Sequence, residues 1–181
     1  MQMGTERLII RNFKAEDWED LYEYLSSEEV LRFEPASASS EEDCRKLALE
    51  RARGNIFLAV CLKETLKMIG HIYFGRVEPF EYKTWEIGYI FNPLYYGMGY
   101  ATEASRRILK YGFEQLNAHR IIGMCDPENY ASWKLLERLC MRREGYFKKP
   151  AFFRKDISGK PIWHDAYHYA ILSEEWNGRK C

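Results

Sequence analysis

With 181 residues, 46% of them apolar and 15% aromatic, the chain holds enough apolar side chains for one substantial core, and a single domain over 1–181 is predicted. Twenty-seven basic residues balance twenty-seven acidic ones. No overall field draws the surface to nucleic acid or anionic lipid, which leaves at most a local patch. No apolar run approaches the ~18 residues of a membrane span, and Met1 to Arg7 carry no signal-peptide core, so a cytoplasmic protein with no membrane or nucleic-acid partner is expected. Five cysteines, odd in number and without C-x-x-C spacing, predict reduced structural thiols.

Leu8 to Phe13 reads as a strand. Trp18, Leu21, Tyr22 and Leu25 follow at helical spacing, with Glu16 and Asp17 suited to a first turn. A second helix is predicted behind a capping box of Ser39 and Glu42, with Leu47 and Ala48 on one face and Gly54-Asn55 as its stop. Ile56 to Leu62 and Lys67 to Val77 predict two strands of a hairpin, and Trp85 to Phe91 a third strand. The best-patterned helix comes next: Ala101, Ala104, Ile108, Leu109, Gly112, Phe113 and Leu116 fall on one stripe, and Asn117 can end it. His119 to Cys125 reads as a strand, Asp126 to Asn129 as a turn, and Ser132, Leu135, Leu136 and Leu139 as the inner stripe of a further helix. Tyr146 to Phe153 and Ile162 to Leu172 are aromatic-rich strands separated by Ser158-Gly159-Lys160-Pro161.

The run Tyr96-Gly97-Met98-Gly99-Tyr100-Ala101 lies between a strand and a helix start. A helix start leaves backbone N–H groups unpaired and partly positive, so it binds an anion without a basic side chain, and Gly97 and Gly99 let the backbone approach closely. A phosphate-bearing cofactor is therefore expected here. The run lacks the Gly-Lys-Ser/Thr ending of a P-loop. As a dinucleotide fingerprint it has Thr102 where a third small residue belongs, and its acidic partner, Asp126, lies too far on.

Taken together, Glu86 to Tyr89, Gly97 to Ala104, Asp126 to Ser132 and Leu136 to Leu139 followed by Glu144-Gly145 resemble the GNAT N-acetyltransferases, in particular the RimJ/RimL type. The resemblance covers most of the chain and implies an α/β (α+β) single-domain fold with a mixed, mostly antiparallel central sheet flanked by helices. It implies transfer of an acetyl group from acetyl-CoA to a primary amine. In that pattern the backbone of Gly97, Met98, Gly99, Tyr100, Ala101 and Thr102 cradles the pyrophosphate, although Tyr96 stands where the family has Gln or Arg, and Cys140-Met141 where it has Gly-Phe. With no charge from Tyr96 or Met98, backbone dipoles are expected to dominate, giving a shallow salt dependence.

An amine attacks a thioester only when neutral, so a base or relay must take a proton. Glu86, alternating with Trp85 and Ile87 along a strand, is a carboxylate at a partly buried position and matches the family's glutamate; the plainer reading is a solvated strand residue. Asn129 and Ser132 lie one turn apart at a helix start. The resemblance gives Asn129 to the pantetheine arm and lets Ser132 bind or protonate the departing thiolate, while an ordinary cap also explains Asn129. His164 and His168 mimic a metal-binding spacing, but on a strand they stand ~13 Å apart and cannot share a metal. Cys125 and Cys140 have no motif to activate them as nucleophiles. A coenzyme A-binding sensor or protein-interaction module on the same fold is the alternative. The acceptor stays open between peptide N-termini and small amines, with Glu34, Glu78, Glu81 and Asp156 as residues that favour a cation, and the protein is a monomer or homodimer.

Overall fold

A computed structural model describes residues 1–34 and 39–176. Its spine is one eight-stranded sheet in the order β1-β2-β3-β4-β5-β6-β8-β7. The strands are β1 (Gln2–Gly4), β2 (Leu8–Asn12), β3 (Phe57–Leu62), β4 (Met68–Val77), β5 (Thr84–Phe91), β6 (Arg120–Cys125), β7 (Arg142–Lys155) and β8 (Pro161–Leu172). All neighbours are antiparallel except β5 and β6. That one parallel pair needs a crossover, and helix α3 (Tyr100–Glu114) supplies it. Helices α1 (Trp18–Leu25) and α2 (Glu41–Arg53) join β2 to β3, α4 (Tyr130–Arg138) joins β6 to β7, and the short α5 (Ser173–Trp176) follows β8. None of these helices is long and apolar enough to cross a membrane.

The sheet buries both faces. On one, Leu8, Ile10, Ile72, Phe74 and Ile87 pack against Ala104, Ile108 and Leu109 of α3 and Leu135, Leu136 and Leu139 of α4 and its end. On the other, Ala59, Cys61 and Met68 pack against Leu21, Tyr24 and Leu25 of α1 and Cys44 of α2. The predicted stripes of α3 and α4 are thus the buried ones. Gly112 is in the α3 stripe because a Cβ there would lie 2.7 Å from Cζ of Phe74. The helix ends at Glu114 and Asn117 takes a left-handed φ of 52°, turning the chain into β6.

The structure shifts two local expectations. Ser40 and Asp43, rather than Ser39 and Glu42, form the α2 capping box: Asp43 N–H donates to Ser40 Oγ at 3.2 Å and Ser40 N–H to Asp43 Oδ2 at 3.1 Å. Adjacent serines and three successive carboxylates allow either register, and only one lets α2 bury Cys44 and Ala48. Cys44, Cys61 and Cys125 are free thiols as expected, whereas Cys140 is disulfide-bonded. Strand β1 and the first residues of β7 were not evident in the sequence, since β1 is only three residues long and β7 opens on exposed polar side chains.

Candidate active site

Strands β5 and β6 pair only at Thr84 with Arg120, Trp85 with Ile121 and Glu86 with Ile122. Beyond that point β5 stays bonded to β4 as far as Phe91 and Gly70, and β6 to β8 as far as Cys125 and Tyr167. Two strands that keep their outer partners and lose each other open a wedge in the sheet. Backbone groups along the wedge are left to meet a ligand. A cleft of about 1470 Å³ occupies this opening, walled by β5, the start of α3 and the first turn of α4.

The α3 end of the cleft is built for an anion. After a short turn at Pro93–Tyr95, capped by the Asn92 side chain, Gly97 and Gly99 take φ of +75° and +80°. Glycine adopts that region without a Cβ penalty. Gly99 is also the N-cap of α3 and has no side chain with which to cap it. The first helical bond runs from Glu103 N–H to Gly99 O at 3.0 Å, so the N–H groups of Tyr100, Ala101 and Thr102 have no acceptor within the helix. Both α2 and α4, by contrast, are capped by Ser40 and Asn129. An uncapped helix end on a cleft wall fits a diphosphate.

Cations frame it. Arg7, from the turn before β2, donates to Met98 O at 3.0 Å, lies 4.4 Å over the Tyr100 ring and pairs with Glu103 at 2.6 Å. It pins the glycine turn to the start of β2. Arg138 Nε donates to Thr102 Oγ1 at 3.2 Å and Arg106 to Arg138 O at 3.0 Å, tying α4 to α3. Arg106, Arg107, Lys110 and Arg138 all reach the cleft wall. Gly97, Gly99, Tyr100, Ala101, Thr102, Asn129 and Ser132 line it as well, whereas Met98 does not, its carbonyl accepting from Arg7.

At the wedge, Asn129 caps α4 by accepting from Ser132 N–H at 3.1 Å, which leaves its amide N–H₂ for a ligand. Tyr89, projecting from β5, donates to Ser132 O at 3.0 Å and lies 3.1 Å from Ser132 Oγ. This contact bridges the two edges of the opening. Burial raises the Tyr89 phenol and pushes the Cys125 thiol up to about 12, against a hydrogen bond from Ser132 that works the other way. A thiol so placed is no nucleophile at neutral pH. His164 pairs with Asp126 at 3.0 Å rather than with His168.

Glu86 stands at the last paired position, with Gly88 and Ile90 on the α1–α2 face, opposite Gly75 of β4. It is half-buried, and burial raises its carboxyl. It is not among the described residues that wall the cleft. Glu34 is. Burial alone pushes the Glu34 carboxyl up to about 7. In the sequence Glu34 is only one of several acidic positions, and neither Arg7 nor Tyr89 carries a signal of its role. Their roles depend on what faces them across the fold, and no local spacing encodes that.

A sheet opened between two parallel strands, with an uncapped helix end and cations along the opening, is the architecture of a coenzyme A-dependent acyltransferase. Residues 7–142 match the acetyltransferase (GNAT) domain family, and the chain belongs to it. A protein of Bacillus subtilis, named an uncharacterized N-acetyltransferase YnaD, is 42% identical over 98% of this chain and 100% of its own length. A GNAT-family acetyltransferase from Bacillus anthracis superposes with a TM-score of 0.87 at 41% identity, covering 97% of this chain and 100% of that one. The fold is shared with a Vibrio cholerae spermidine N-acetyltransferase solved with CoA and spermine, TM-score 0.78 at 19% identity, over 96% of this chain and 100% of that chain. The protein is an acetyltransferase that uses acetyl-CoA.

Proposed function

We propose that this protein transfers the acetyl group of acetyl-CoA to a primary amine, a peptide N-terminus or a small molecule, by direct attack within the wedge, as a cytoplasmic enzyme of the RimJ/RimL type. The observation that carries the reading is the uncapped α3 end opening on the same cleft as Asn129 and Ser132. Bound acetyl-CoA supplies the thioester carbonyl that an amine attacks. The amides of Tyr100, Ala101 and Thr102 hold its diphosphate, and the Asn129 amide donates to the arm that runs toward the wedge. Ser132 Oγ, in the hydrogen-bonded row between Tyr89 and Cys125, gives a proton to the departing sulfur. Tyr89 keeps that row in place by bridging the edges of the opening.

Release of coenzyme A in the presence of a panel of amines tests this. Acetyl-CoA should raise the melting temperature and be turned over with at least one acceptor. Gly99→Val, which puts a β-branched residue at φ +80°, should abolish both while the protein stays folded. A melting shift without turnover on any amine would leave a coenzyme A sensor instead.

A further inference from the structure

We infer that Glu34 is the carboxylate that meets the acceptor amine and takes its proton, and that the acceptor amine is carried on an apolar or aromatic body. This rests on the transferase reading above and deepens it. The segment after α1 crosses from the α1–α2 face to the mouth of the wedge. Leu31 is fully buried and its carbonyl accepts from Arg154 of β7 at 3.0 Å; Arg32 pairs with Glu128, in the turn before α4, at 3.1 Å. Glu34 follows on this anchored turn, its N–H donating to Leu31 O at 3.1 Å.

Glu34 thereby joins Val30, Tyr89, Ile90, Tyr96 and Ser132 on the cleft wall. Its carboxylate has no hydrogen bond or ion pair among the described residues, although cations abound elsewhere around the cleft. The titratable groups that feel its charge are Tyr89 of β5 and Tyr96. Neither of these neutralises it. A partly buried carboxylate without a partner is costly unless a cation arrives, and an incoming ammonium is such a cation. Its carboxyl, ionising near pH 7, is matched to proton transfer at neutral pH. The rest of the nearby wall, Val30, Ile90 and two tyrosine rings, offers apolar and aromatic contact rather than a second anionic pocket.

The protons balance simply. The ammonium gives one proton to Glu34, which passes it to solvent. The N–C bond forms as the thioester C–S bond breaks, the departing sulfur takes the Ser132 hydroxyl proton, a second amine proton restores that hydroxyl, and the third remains on the amide. Glu86 is not among the described residues that wall the cleft.

The test compares wild type, Glu34→Gln and Glu86→Gln, offering tyramine, spermidine and an alanyl-starting pentapeptide with acetyl-CoA. Tyramine should be the preferred acceptor, kcat/KM should fall about 10²-fold or more in Glu34→Gln, and the smaller loss should belong to Glu86→Gln. The melting shift with acetyl-CoA should be equal in all three. A larger loss in Glu86→Gln, or a tenfold preference for spermidine, overturns the inference. A second measurement does not depend on turnover: carbodiimide coupling of tyramine to the folded protein, read by peptide mass. Glu34 should be coupled ahead of Glu86, and a Glu34 left unlabelled overturns its role even if acetylation occurs. If no acceptor releases coenzyme A, the transferase reading fails, and the labelling alone still decides whether an amine reaches Glu34.

Discussion

Two carboxylates show how far a residue's chemistry depends on surroundings that its neighbours in sequence do not reveal. Glu86 was legible as a strand glutamate of alternating orientation, and it does lie half-buried on the α1–α2 face. Glu34, in a stretch without periodicity, has the more perturbed acidity because the turn carrying it folds against the cleft. The sign of the consequence for stability follows from linkage. A carboxyl raised in the folded state from 4.5 to about 7 contributes stability fully present below pH 4.5 and lost as pH rises through 7. Glu34→Gln, neutral at every pH, should match wild type at pH 4 and exceed it at pH 8. At about 1.36 kcal/mol for each pH unit, the gain is at most about 3 kcal/mol. Thermal melts of both proteins across that range check it, and equal stability at pH 8 would mean that Glu34 ionises like an exposed carboxylate. Such a gain from removing a group is the usual mark of a residue kept for function.

Among the elements, α3 carries the most information in the fewest residues. Its stripe was readable from the 3.6-residue period, and its start from two glycines, because helix faces and positive φ are local properties. What the period could not tell was why a glycine belongs in mid-helix at position 112. Tertiary contact answers it: the helix lies so close to β4 that Phe74 occupies the place of a Cβ, with Ile121 Cδ1 at 3.0 Å beside it. Gly112→Ala sets two effects against each other. Helix propensity favours alanine by about 1 kcal/mol, whereas overpacking a filled core costs about 1–3 kcal/mol. Since the colliding atom belongs to a Phe74 ring stacked on Trp85 at 5.0 Å, it has little room to yield, and overpacking should win. Urea denaturation should show a lower midpoint with an unchanged slope; a more stable Gly112→Ala would show that α3 can lift from the sheet at little cost. The capping box of α2 makes a related point, since two adjacent serines satisfy the local rule and burial of Cys44 and Ala48 selects between them.

At the scale of the whole molecule the decisive event is the parting of β5 from β6, which gathers segments distant in sequence around one opening. It also bears on an electrostatic expectation. Tyr96 and Met98 bring no charge to the glycine turn, yet Arg7 is bonded to it and Arg106, Arg107, Lys110 and Arg138 line the same cleft, from three separate stretches of chain. Coenzyme A affinity should therefore fall clearly as salt rises, since exposed charges beyond the ~8 Å Debye length are screened at physiological ionic strength. Tyr96→Arg should add little. Arg138→Ala should weaken binding and flatten the slope; calorimetric titration at low and high salt measures both, and a flat wild-type slope would restore the backbone dipoles as the main term. The sequence by itself determined most of the elements, the glycine turn, the family resemblance and hence the acetyl-CoA chemistry, because period, φ preference and motif spacing are all written within a few residues. Only the tertiary structure decided which side chains share the cleft: Arg7 and Glu103 are 2.6 Å apart and Tyr89 reaches Ser132, though each pair is separated by tens of residues along the chain. Those meetings depend on how strands pair and where they part, which is fixed by the packing of the whole sheet between its two layers of helices rather than by any short run of amino acids.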